Sequence, residues 1–392
     1  MKRGMNTSKQ QGTLTWVLLA FALTALTPLT ARAAVPFDGG VSGLEALAEG
    51  QTAGPVSIAR PGMDTSAAIA PLLAAGPLSA DTTVRIALLN NPGLQVSLAA
   101  EGANISDAAL PGSPARRKAA QDIAVLSAQA RKAWVRAVAA AQLARAAAEA
   151  KDSAEAGGEL ARRMARAGNW SKLQQAREQV LLADAAAQLA RARQAAFSER
   201  EKLIVVMGLW GPQTGFELPE RLPELPAQPQ ELPDVESRVL QQRLNLQLAR
   251  TEWARQRATR REPGAEALWD AMGNAARVRE LAVKARSEAR EAYHGYRTAW
   301  DLAKHYEKEV LPLSRFIKDE TLLRYNGMLA SVFELLAESR AQAQAQGEAV
   351  QARRDFWLAD TDLRTVLAGA PYDAASGASA EGPSTGAAAA AH

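Results

Sequence analysis

Two long stretches without proline constrain this chain more than any other feature. Residues 115–206 contain none, and neither do residues 264–311. In the first, Ile123, Leu126, Ala130, Ala133, Ala137, Ala141, Ala144 and Ala148 recur at steps of three and four. In the second, Val278, Leu281, Ala285, Ala289, Ala292, Tyr296, Ala299 and Ala303 repeat the pattern. Such spacing puts every member on one face of an α-helix. The small residues let neighbouring helices approach closely, while Arg, Glu, Lys and Gln fill a solvated outer face. A helix of about 50–60 residues is roughly 75–90 Å long. Rods of that length bury their apolar stripes against each other and against other subunits. Pro312 lies inside the second rod, and its missing donor predicts a kink near 308–312.

The two halves share an order of parts. A short helix over about 81–110 meets Pro111-Gly112-Ser113-Pro114, and a long helix follows to about 166. The chain turns at Ala167-Gly168-Asn169 and continues as a third helix to about 206. A Pro-rich linker, 207–235, separates this repeat (81–206) from a second (236–367). The second meets Pro263-Gly264, turns at Asn326-Gly327 and ends near Leu367. Asn91-Pro92-Gly93-Leu94-Gln95 matches Arg243-Leu244-Asn245-Leu246-Gln247. Gly168-Asn169-Trp170-Ser171 matches Gly327-Met328-Leu329-Ala330-Ser331 with one extra residue. Each turn has a glycine where positive φ is useful and a serine to cap the next helix. The fold class expected is all-α: duplicated long antiparallel helical hairpins. Residues 34–80, rich in Gly, Pro, Ala and Ser, read as an extended strap. Residues 368–392 read as a disordered tail.

Charge and cysteine exclude several function classes. The chain carries 46 Lys+Arg against 42 Asp+Glu, a formal +4. Residues 1–33 hold four of the cations (Lys2, Arg3, Lys9 and Arg32) and no acid, so the remainder balances at 42 against 42. A nucleic-acid partner needs a surplus of cations to displace counterions. The same segment has a positive start, an apolar run over 13–29 and Ala31-Arg32-Ala33, the pattern of a cleaved signal peptide. It predicts export to the periplasm. There are no cysteines, so disulfides, thiolate metal sites and a lipid-modified cysteine are absent. No later segment reaches 18 consecutive apolar residues, as a membrane-spanning helix needs. His294 and His305 share a helix face but stand about 16 Å apart along the axis, and no metal site is expected. No P-loop, G-x-G-x-x-G, G-x-S-x-G or H-E-x-x-H motif occurs. Neither catalytic residues nor a cofactor are predicted.

Three segments carry a family resemblance: Ala87-Leu88-Leu89-Asn90-Asn91-Pro92-Gly93-Leu94-Gln95, Met207-Gly208-Leu209-Trp210-Gly211-Pro212-Gln213, and the run from Leu322 through Asn326-Gly327-Met328 to Leu336. With the internal repeat, they make about 80–370 resemble the TolC-like outer membrane factor family of efflux channels. The resemblance implies a trimer. Each protomer would give long helices to a periplasmic tunnel and two β-hairpins to a membrane barrel. The hairpins would fall at 111–114 and 263–264. A spanning strand needs about 9–11 alternating residues, so the membrane strands are expected to be missing or vestigial. The protein would then be periplasmic, at most peripheral to the outer membrane.

By the same resemblance, the hairpin turns face a periplasmic adaptor. The matching positions are Ala167, Gly168, Asn169, Trp170 and Ser171, and Asn326, Gly327, Met328, Leu329 and Ser331. Turn closure and capping alone explain the Gly and Ser. Exposed Trp170, Met328 and Leu329 would favour a partner. Glu334 takes the place of an acidic tunnel constriction, against the alternative of a solvated helix-surface glutamate. The expected function is assembly and docking in an efflux- or export-type system. The alternatives are a conduit whose barrel another chain supplies, and a periplasmic scaffold that has left transport.

Overall fold

A computed structural model describes residues 40–50, 52, 54–60, 62–100, 113–259 and 265–372. Eleven α-helices are formed among them: α1 Val41–Glu49, α2 Thr65–Ala74, α3 Ala80–Asn90, α4 Pro92–Ala100, α5 Pro114–Arg166, α6 Lys172–Met207, α7 Val235–Gln242, α8 Leu244–Thr259, α9 Ala265–His305, α10 Leu311–Asn326 and α11 Val332–Leu367. No strand occurs among the described residues. The 53 residues of α5 span about 80 Å.

The duplication is visible as packing. Helix α5 lies against α6 and α11, and α11 lies in turn against α9 and α10. The rods therefore run in the order α6, α5, α11, α9–α10, which leaves α6 and α9–α10 as the outer edges. The predicted small-residue faces supply the seams. Ile123, Leu126, Ala130, Ala133 and Ala137 are buried, as are Ala285, Ala289, Ala292, Tyr296 and Ala303.

Each repeat opens with a broken pair of short helices. Pro92 disfavours helical geometry at Asn91, which leaves α3 at ψ 118°. Arg243 breaks α7 from α8 with a similar backbone, at ψ 107°, although no proline follows it. Behind each break stands a glycine at positive φ, Gly208 at 67° and Gly369 at 85°. A Cβ on Gly208 would meet the Asn90 carbonyl at 2.6 Å, and one on Gly369 the Gln242 carbonyl at 2.1 Å. Both positions admit only glycine. Asn90 Nδ2 donates to the Gly208 carbonyl (2.7 Å), and Arg243 Nη1 to the Ala370 carbonyl (2.8 Å).

The Pro-rich linker between the repeats is stapled to the rods. Its proline carbonyls accept indole N–H groups, Pro226 from Trp300 and Pro223 from Trp357, both at 3.1 Å. The Tyr296 hydroxyl accepts from the Gln230 N–H at 3.0 Å. Leu222, Leu225 and Leu232 enter the cores.

Four expectations need correction or limits. The strap is not extended throughout, because it contains α1 and α2. Asp64 caps α2 by accepting from the Ser66 and Ala67 N–H groups, and Leu44, Val56 and Ile58 enter a core with α3 and α5. The short helix expected to reach 110 is two helices, described to Ala100. The tail is not free from 368. Its first residues close the second repeat through Ala370 and through Tyr372, whose N–H donates to Glu288. The signal peptide and the joints at 111–112 and 263–264 lie outside the described residues.

Pro312 sits at the second position of α10, just after a five-residue π-helical segment, Tyr306–Val310. The wider turn takes up one extra residue. Downstream, the capping serines Ser171 and Ser331 are offset by 160. Both turns run the same length from the last helical residue to the capping serine, Arg166 to Ser171 and Asn326 to Ser331, so the extra residue expected in the second turn is not there.

Candidate functional site

The sequence-predicted site residues fall on the two hairpin turns, and these turns lie together at one end of the bundle. Helix α5 ends at Arg166 and α10 at Asn326, after which the two turns follow the same hydrogen-bond pattern. Asn169 N–H donates to the Met164 carbonyl (3.0 Å), and Leu329 N–H to that of Arg324 (2.8 Å). Each following helix begins with a serine cap. The Gln174 N–H donates to Ser171 Oγ and the Glu334 N–H to Ser331 Oγ, each at 3.2 Å. The side chains of Gln174 and Glu334 accept in return from the serine N–H, completing a capping box in both hairpins.

This pattern corrects the expected alignment of the turns. Ser171 corresponds to Ser331, so Gly168 corresponds to Met328 and Ala167 to Gly327. Gly168 has φ 79°. Gly327, expected to supply the positive φ, has φ −82°. Met328 takes the left-handed conformation instead, at φ 58°, the one non-glycine among the described residues to do so. A Cβ in that region meets the following carbonyl, at a cost of roughly 1–2 kcal/mol.

The side chains at this end differ in exposure. Met328 is 94% exposed and Leu329 82%. Asn169, Ser171, Asn326 and Gly327 are also exposed. Trp170 is half-buried because its ring stacks on Phe333 of α11, with centroids 3.8 Å apart and planes 24° apart. This stack joins one hairpin turn to the other. Below it, α5 presents Gly157 and Gly158; Leu336 packs 3.1 Å from where a Cβ on Gly157 would lie, and Leu182 lies at ordinary contact distance, 3.5 Å, from one on Gly158. Arg340 of α11 faces Glu178 of α6 at 3.6 Å. On α5, the hydrogen bond from Arg163, with the charge of Arg162, holds the Glu159 carboxyl below its usual value.

Glu334 is exposed, and its carboxylate is engaged by the capping box. Gln174 performs the same task uncharged in the first hairpin. The stack and the strained methionine escaped sequence reasoning. An aromatic two residues after one cap and another just before the other cap were the only local signals for the stack.

Elsewhere, His305 Nδ1 lies 3.0 Å from Glu309, and no group of three or more potential metal ligands is assembled among the described residues. No described helix is long and apolar enough to cross a membrane. Asp360 pairs with Arg364 (2.8 Å) and Asp362 with Lys132, so these two acids face separate cations.

Solved structures share this architecture. The outer-membrane channel OprN aligns with a TM-score of 0.58 over 74% of this chain and 90% of its own, at 16% identity. The chain has the helical fold of TolC-like channels. The CmeC outer membrane channel of Campylobacter jejuni aligns at 0.55, over 71% of this chain and 69% of its own, at 11% identity. The outer membrane protein VceC of Vibrio cholerae aligns at 0.53, over 72% and 77%, at 12% identity. No family model matches the chain, and no curated protein matches it. The likeness is one of fold, carried by the duplicated hairpins and not by sequence identity.

Proposed function

We propose that this chain is a periplasmic component of an efflux- or export-type system that acts by assembly and docking and not by catalysis. The observation that carries the proposal is the tip formed by Met328 and Leu329. The turn needs only a residue that tolerates positive φ, and Gly168 meets that need in the other hairpin. A strained methionine beside a leucine, both nearly fully exposed, is what a contact surface requires and a turn does not. The partner is a periplasmic adaptor with an apolar docking face.

Assembly is proposed through the outer edges. Leu173 and Val180 on α6, and Phe316 and Leu323 on α10, are exposed seven residues apart, the interval of a coiled-coil seam. Pairing α6 of one copy with α10 of the next would close a ring, a trimer by analogy with the family. The chain is proposed not to span the outer membrane itself. Only five residues, 260–264, separate α8 from α9, fewer than one spanning strand requires.

Periplasmic purification, light-scattering mass and adaptor capture test this reading. The expected result is a soluble homo-oligomer whose capture of adaptor is lost in Met328→Asp with Leu329→Asp while its mass is unchanged. Undiminished capture by that variant refutes docking at the tip. Heat-modifiable oligomers integrated in the outer membrane refute the barrel-less reading. Conductance in lipid bilayers only with a co-purified barrel protein points instead to the two-chain conduit.

A further inference from the structure

Away from the tips, a cleft of about 470 Å³ opens between α5, α10, α11 and the Pro-rich linker. Four arginines line it, one from each of these elements: Arg145, Arg315, Arg353 and Arg221. Two carboxylates, Glu149 and Glu220, share the wall. The arginines are not paired with them. Arg145 donates to the main-chain carbonyl of Glu220 and not to its carboxylate. The side chains of Arg221, Arg315 and Arg353 make neither a hydrogen bond nor an ion pair among the described residues. A charged helix face facing water explains cations that follow one another on a single helix. It does not explain four that converge on one concavity from parts of the chain up to 208 residues apart. The cleft also reaches Leu311, the first residue after the π-helical segment, a type of irregularity that recurs at functional sites.

We propose that this cleft binds a phosphorylated sugar or similar polyol carrying two phosphate groups. Guanidinium groups offer planar forks that match phosphate oxygens in pairs. Four arginines against two glutamates leave a local charge of +2, which favours a compact dianion or higher. The glutamates accept hydrogen bonds from hydroxyl groups, a role that a bare phosphate would leave unused. The volume lies within the roughly 300–1,000 Å³ of small-ligand pockets and suits one sugar ring with its substituents. Such a group occurs free in solution and as the headgroup of a phosphorylated glycolipid.

Calorimetric titration of the full-length protein with a hexose bisphosphate, inorganic phosphate and unphosphorylated glucose tests the proposal. A second arm uses neutral phosphatidylcholine vesicles with and without diphosphorylated lipid A. The expected result is saturable binding of the bisphosphate, no binding of glucose and weaker binding of phosphate. Binding should weaken as salt rises. Loss of a charged hydrogen bond in Arg353→Gln or Arg315→Gln should weaken it about tenfold or more. Glu149→Gln keeps a hydrogen-bond acceptor for a hydroxyl but removes a charge that repels phosphate, so it should strengthen binding severalfold, an outcome that misfolding cannot produce, and melting curves confirm that each variant folds. Binding to lipid A vesicles alone, lost in the same arginine variants, assigns the site to a glycolipid headgroup and also supports the proposal. Absence of binding in both arms, affinity unchanged in the arginine variants, or phosphate binding as tightly as the bisphosphate overturns it.

Discussion

The two hairpin turns make opposite predictions for one backbone position. Met328 and Gly168 occupy equivalent places, at φ 58° and 79°. Replacing Met328 with glycine removes a left-handed penalty of roughly 1–2 kcal/mol. The greater freedom of glycine in the unfolded chain returns about 0.4–1 kcal/mol of that. The side chain is 94% exposed, so almost no packing is lost with it. Met328→Gly should therefore stabilise its turn by about 0.5–1 kcal/mol. Gly168→Ala has open space around its Cβ and should destabilise its turn by about the same amount. The assay is amide hydrogen exchange of the residues that close each turn, Leu329 and Asn169, corrected for intrinsic rates. Protection should rise up to about fivefold in the first variant and fall by a similar factor in the second. If Met328→Gly lowers protection, or Gly168→Ala raises it, the strain argument fails. Adaptor capture should weaken in the more stable Met328→Gly variant, since the apolar tip is removed while the fold is improved.

Three further outcomes test the fold and its electrostatics. Gly369→Ala brings a Cβ to 2.1 Å from the Gln242 carbonyl at φ 85°, so the second joint must open; a loss above about 2 kcal/mol is expected in chemical denaturation. Lys132 and Asp362 form a buried ion pair between α5 and α11. Lys132→Ala should cost about 3–5 kcal/mol, while Lys132→Met with Asp362→Leu should cost far less, as a double-mutant cycle would read. Burial pushes the Asp360 carboxyl above its ordinary value, outweighing the opposing pull of Arg364. A raised carboxyl stabilises the folded state only while protonated, and that contribution fades as pH rises from about the ordinary 3.8 through the folded value. Asp360→Asn should therefore melt higher than the parent at neutral pH and show no such gain in acid.

The sequence carried the rods more clearly than their joints. Proline-free runs with small residues at three- and four-residue steps specify long, closely packed helices, and Ser331 with Glu334, like Ser171 with Gln174, marks a helix start by local chemistry. Pro92 announces the first break, because it acts on its immediate neighbour. Arg243 announces nothing, since its break is held by Gly369 and Ala370, more than a hundred residues away. Helices α1 and α2 were hidden for a related reason. Their Gly-, Pro- and Ala-rich composition has no periodicity to read, and Leu44, Val56 and Ile58 find their order only against α3 and α5. Glycine misled at the second turn. It is the cheapest residue at positive φ, yet the cap at Ser331 fixes the register and puts Met328 there.

The comparison between halves separates what the fold demands from what use has altered. Features that a long hairpin cannot do without occur twice: the capping boxes, the glycine behind each break, and the seam of small residues. Features that occur once are not required by the hairpin itself. The first half turns on Gly168 without strain, so turn closure requires the positive φ but not the methionine that is strained by it. It runs without a π-helical segment, so the wider turn at 306–310 is an accommodation that only the second half needed. That accommodation lies beside Pro312, at the mouth of the four-arginine cleft. Met328 and the cleft are therefore the places where substitutions that leave the rods intact should change what the molecule binds.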